Sequence, residues 1–165
     1  MQGRAAYRGP VDAVRRQHQR DAYAAFLTEA NTYFNRTSWG NCTQQAGEQL
    51  GIPAGDESRR EEINRHTLRI QAEAPTEQLK LAAAVIQLEG PEDLAAIARQ
   101  IENHAHTIQF DARYGEAPYT LFDMLAGRPA PADSGHNTHL ELLNAIQQFT
   151  ETARSHLNDE TARRS

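Results

Sequence analysis

Apolar positions recur along this chain at spacings of three and four, the pattern of helices that each bury one face. The clearest stripe lies between Pro91 and Ala112, where Leu94, Ile97, Ala98, Ile101, Ala105, Ile108 and Ala112 share a side. Gly90-Pro91 marks its start, since glycine suits the end of a preceding helix and proline the first turn of the next. Glu92 and Asp93 then complement the helix dipole, and Tyr114-Gly115 closes the element. A second stripe of Leu142, Leu143, Ile146, Phe149, Ala153 and Leu157 predicts a helix over 138–157, with Asn137 as its N-cap. A third helix starts at Gly9-Pro10 and reaches Phe34. Tyr23, Phe26, Leu27, Ala30, Tyr33 and Phe34 line one side of its second half, whereas its first half is polar. At 1.5 Å per residue it spans about 37 Å, so its outer end is expected to overhang the body.

The middle of the chain is less regular. Residues 35–56 carry turn signals at Trp39-Gly40, Gly47 and Gly51-Ile52-Pro53, with a short helix at 43–50. Residues 57–74 read as a charged helix burying Ile63, Thr67, Leu68 and Ile70, which Pro75 breaks or kinks. Residues 76–89 resume it, with Leu79, Leu81, Ala82, Val85, Ile86 and Leu88 as a wide apolar face. Another short helix is expected at 118–126, followed by a loop over 127–135. Valine occurs three times, and no run alternates β-branched with polar residues, so strands are not expected. The expected fold is all-α. Four long segments (10–34, 57–89, 91–112 and 138–157) form an antiparallel up-down bundle, with short extra helices in the loops. One domain is expected to cover residues 1–165, frayed over 1–8 and 158–165.

Composition adjusts this picture. Of the 165 residues, 39% are apolar, but 26 are alanine; Leu, Ile, Val and Phe together number 29, close to the range in which disorder sets in. Alanine lets helix axes approach closely while burying less area per residue, so the expected core is thin. Mean hydropathy is −0.72, and no apolar run nears the roughly 18–20 residues that cross a bilayer. The N-terminus has no hydrophobic region after its positive charges, so no secretory signal and a cytoplasmic location are expected. Cys42 is alone, which excludes a disulfide scaffold. Arginine outnumbers lysine sixteen to one. Codon bias in a GC-rich genome is favoured over anion recognition as the reason.

Two stretches, Gly9-Pro-Val-Asp-Ala-Val-Arg-Arg-Gln-His-Gln-Arg-Asp-Ala-Tyr-Ala-Ala-Phe-Leu27 and Leu88-Glu-Gly-Pro-Glu-Asp-Leu-Ala-Ala-Ile-Ala98, resemble segments of uncharacterised helical proteins from high-GC actinobacteria. They cover about a fifth of the chain. The resemblance implies a cytosolic bacterial origin and an all-helical fold, and it assigns no activity and no functional residue.

The search for chemistry yields few candidates. Di-iron bundles need paired Glu-x-x-His motifs and helical zinc proteases need His-Glu-x-x-His; neither occurs. His104 and His106 point about 200° apart on a helix, and His104 reads as a core-edge side chain bonded to a neighbour. His136 and His139, with Asp133 nearby, are the remaining metal candidates, without a visible third or fourth ligand beyond them. Cys42 lies in no recognised nucleophile signature and reads as a structural thiol. Gly-rich phosphate loops are missing, so no catalytic residue and no cofactor is expected.

Charge is segregated along the chain. The first twenty residues carry a net +4, while residues 41–110 set eleven acids against six bases. Arg15, Arg16 and Arg20 are therefore interaction candidates, with a solvated face as the plainer account. Nucleic acid is disfavoured by the acidic total charge of −5 and the lack of an aromatic stacking pattern. Trp39, in an expected loop, is a core anchor or a binding contact.

Two functions result. The first is a non-enzymatic helical interaction or regulatory module whose partner is a protein or a second copy. In that homodimer the Tyr23–Phe34 face and the Leu142–Leu157 stripe would supply apolar surface, and Arg15, Arg16 and Arg20 the rim. The second is a small helical ligand- or metal-binding bundle or enzyme with a His-containing pocket. A pocket lined by several of His18, His66, His104 and His139 would favour the second; a solid core with an exposed apolar face would favour the first.

Overall fold

The stripe at residues 91–112 becomes the centre of the molecule. The computed structural model describes residues 8–53, 56–114 and 136–162, and the chain is all-helical over them. Six α-helices and one 3-10 turn follow in order: α1 (Arg8–Thr37), α2 (Trp39–Leu50), the turn Glu57–Arg59, α3 (Arg60–Ala72), α4 (Glu77–Glu89), α5 (Glu92–Tyr114) and α6 (His136–Ala162).

Every member of the α5 stripe is buried, from Leu94 through Ile101 to Ala112. The helix packs against α4, α6 and α3, while α1 packs against α4 and α6. One core cluster fills the space between α1, α4, α5 and α6, centred on Phe26, Ile86, Leu94, Ile101, Leu142 and Phe149. Ala30, Ala83, Ala98 and Ala105 are also fully enclosed, so small side chains do set the helix spacing. Cross-helix contacts fix which ends meet. His18, in the first half of α1, lies 3.9 Å from Glu89 at the end of α4. His156, near the end of α6, donates to Asp93 at the start of α5 over 2.7 Å.

The α4–α5 corner is as tight as its sequence requires. The Gly90 amide donates to Ile86 O (2.8 Å), and a Cβ built on Gly90 would stand 2.6 Å from that same carbonyl oxygen. Only glycine fits there without a backbone shift. Gly51 ends α2 in the left-handed region at φ 63°, with the Ile52 amide returning to Gly47 O at 2.9 Å.

Several expectations need correction. Residues 57–89 do not make one long element: Pro75 separates α3 from α4, and α3 turns away to pack on α2 and α5. Trp39-Gly40 is no turn, because α2 starts at Trp39 with only Ser38 between it and the end of α1. Packing of Cys42 and Ala46 outweighs the roughly 0.5–1 kcal/mol that each helical glycine costs. Asn137 is not a cap, since α6 already includes His136. The Tyr23–Phe34 face and the Leu142–Leu157 stripe are not spare surface. They cover each other, with Tyr23 and Phe26 against Phe149 at ring separations of 6.0 and 4.7 Å. The short helix at 118–126 and the loop at 127–135 lie outside the described residues.

Candidate functional site

The end of α1 gathers side-chain donors from α2, α3 and α6. A helix leaves its last carbonyls without intrahelical donors, and here side chains supply them. Asn35 O accepts from Ser38 Oγ (3.1 Å) and Asn41 Nδ2 (2.8 Å). Arg36 O accepts from Cys42 Sγ at 3.0 Å. Thr37 O accepts from Gln71 Nε2 (2.6 Å) of α3 and from His139 Nε2 (2.8 Å) of α6. The end of α3 is treated likewise, with Gln109 Nε2 of α5 donating to Ala74 O.

This junction decides the standing of two candidate residues. Burial pushes the Cys42 thiol up to about 11, so it is a protonated hydrogen-bond donor at neutral pH rather than a nucleophile. Tyr33 is raised too, by burial first and by nearby Cys42 second, and its hydroxyl donates to Ala105 O at 2.8 Å. His139 uses Nε2 as a donor to Thr37 O and packs its ring 6.4 Å from that of Phe34. It therefore serves as a tether between α6 and α1. Asp133 and the side chain of His136 lie outside the described residues, among which no group of three metal-ligating side chains occurs.

The other histidines sit at separate contacts. His66 meets Gln49 Oε1 (2.6 Å) between α3 and α2, His104 lies 3.7 Å from Glu141 between α5 and α6, and His18 faces Glu89. These partners belong to different helix pairs, so His18, His66, His104 and His139 do not line one pocket.

Arg15 and Arg20 are exposed on α1 and Arg16 is half-buried. Arg16 and Arg20, four apart, share a side, whereas Arg15 points about 100° away. Trp39 is half-buried at the first residue of α2.

Two surface features stand out that the sequence did not single out as sites. Next to the junction lies an open cleft of about 260 Å³ lined by Arg36, Gln45, Gln49, Arg69 and Glu73, with Ile70 among its apolar walls. The second feature is the outer face of α4. Leu79, Ala83 and Ile86 point into the core, but Leu81, Val85 and Leu88 are 63%, 39% and 85% exposed. At 100° per residue, these three and exposed Ala84 lie roughly opposite the buried set. The wide face expected at 76–89 is thus two faces, one on each side of the helix.

No family model matches the chain, and no curated protein or solved structure does either. No described helix is long and apolar enough to cross a membrane.

Proposed function

We propose that this chain is a non-enzymatic interaction module that pairs through the outer face of α4, with a second copy of itself as the occupant. Its frame is an antiparallel up-down bundle of α1, α4, α5 and α6, with α2 and α3 filling the connection between α1 and α4. The cytoplasmic, actinobacterial setting implied by the two resembling segments belongs to the same proposal.

The carrying observation is the row Leu81, Val85 and Leu88. A helix apolar on two opposite sides is ordinarily covered on both, and α4 is covered on one. Two further features favour self-pairing. Leucines stand at equal distances on either side of the Ala84–Val85 midpoint, so a two-fold axis there sets Leu81 against Leu88 of the other copy. His18 is level with Glu89, which places Arg15 one turn beyond the end of α4. The same axis brings exposed Glu77 of the second copy to that level. The basic front of α1 thereby meets acidic surface, while the apolar stripe supplies most of the affinity. One pair of helical stripes buries less than the roughly 1,200–2,000 Å² of a standard interface, so the pairing belongs to the weak class. The separate placement of the histidines argues against the alternative of a shared His-containing pocket.

Light scattering from micromolar to millimolar concentration tests this. The mass is expected to climb from 18.4 kDa towards twice that value, and a Leu81→Glu/Leu88→Glu variant is expected to stay at the monomer mass with unchanged helical circular dichroism. A wild-type chain that remains monomeric throughout removes the second copy as occupant. An equal rise in the variant moves the interface away from α4.

A further inference from the structure

An arginine in the last turn of a helix ordinarily donates to the final carbonyls and complements the dipole. Arg36 occupies that place in α1, yet the carbonyls of Asn35, Arg36 and Thr37 are already filled by Ser38, Asn41, Cys42, Gln71 and His139. Its guanidinium has no hydrogen bond or ion pair with a described residue, and it lines the 260 Å³ cleft. Its donors are thus available to whatever enters.

The rest of the lining is also biased towards donors. Arg69 pairs with Glu73 through Nε at a loose 3.8 Å, which leaves its two terminal amino groups for the cleft. Gln49 has its Oε1 engaged by His66 at 2.6 Å, so the part of that amide left over is its NH2. Gln45, one turn earlier on α2, adds a second amide. Against two guanidiniums and these amides stands one carboxylate, Glu73. The lining is therefore net positive in a chain whose total charge is −5.

We propose that this cleft binds the oxyanion group of a small molecule, a carboxylate or a phosphate, held by Arg36 and Arg69 with the Gln49 amide as a third donor. Guanidinium forks match both anions in a bidentate way. The volume falls just under the roughly 300–1,000 Å³ of ordinary ligand pockets, so the ligand is small. Ile70 gives it an apolar wall. The site is independent of α4 pairing, because its lining comes from α1, α2, α3 and the α3–α4 corner.

Titration of the full chain with sodium phosphate and, separately, sodium acetate, followed by amide and arginine Nε–H NMR signals, tests the site. Sodium chloride at matched ionic strength is the reference. A saturable shift confined to Arg36, Gln45, Gln49 and Arg69 is expected for at least one of the two anions, and the one that saturates names the chemistry. Arg36→Gln should weaken it at least tenfold, Arg36→Lys should weaken it less, and Arg20→Gln should leave it unchanged. Shifts that never saturate, that spread equally to Arg15 and Arg20, or that persist in Arg36→Gln overturn the proposal.

Discussion

Helices α4 and α5 are joined by a two-residue corner and both are rich in leucine, isoleucine and alanine, yet they use that content differently. In α5 the whole apolar stripe faces the core, and the opposite side is polar except for exposed Ala96, Phe110 and Tyr114. In α4 three residues face the core and three of comparable size face outward. The lesson is that apolar content fixes neither burial nor role. What matters is its angular spread: α5 keeps its leucine and isoleucines on one buried arc, whereas α4 divides its leucines, valine and isoleucine over two arcs and leaves the outer one exposed.

The strongest way to break this contrast is to truncate the α5 arc. Ile101→Ala should cost about 2–5 kcal/mol, since the site is fully enclosed. Urea unfolding measures it, and a loss under about half a kcal/mol would put the arc on the surface. Next is the corner between the two helices. Gly90→Ala must move either Ile86 O or the turn, and overpacking of this kind costs about 1–3 kcal/mol by the same measurement.

A smaller effect belongs to pH. The hydrogen bond from His156, and after it the Leu94 amide, hold the Asp93 carboxyl below the ordinary aspartate range. A carboxyl depressed in the folded state contributes stability that is complete above about pH 4 and is lost as pH falls through its folded pKa. Melting curves between pH 2 and 5 should therefore fall less steeply for Asp93→Asn than for the wild type. Smallest of all is Leu88→Ser on the outer arc of α4. Unfolding free energy should change by no more than about half a kcal/mol, while the concentration at which mass rises moves upward. A large destabilisation there would mean that Leu88 supports the fold and that the two helices do not differ as described.

Much of this was legible in the sequence. Spacing located α5 and Gly90-Pro91 marked its start, because those signals are local to one or two turns; Pro75 read as a break or a kink inside one long segment, and the structure separates α3 from α4 there. The second arc of α4 was visible only as width: Leu81 and Leu88 stand beside Leu79 and Ile86 in the chain, and nothing local tells which arc the core takes. That depends on how α1 and α5 approach from one side. The cleft was less legible still. Arg36, Gln49 and Arg69 come from three helices, and what each has left to donate depends on His66, on Glu73 and on the distant side chains that fill the carbonyls at the end of α1. His139 illustrates the same limit, since its spacing from His136 suggested a ligand while its actual partner is a carbonyl 102 positions away.

That carbonyl carries a kinetic consequence. Thr37 O collects donors 34 and 102 positions along the chain, whereas the α4–α5 corner closes across four residues. Closure entropy grows with the length of chain enclosed, so contacts of the second kind form early and those of the first kind late. The seam at the end of α1 then acts as a clasp fastened after the hairpin is made. Gln71→Ala should accelerate unfolding in stopped-flow experiments and leave the folding limb almost untouched, so the lifetime of the native chain is set at this clasp rather than at the hairpin that starts its assembly.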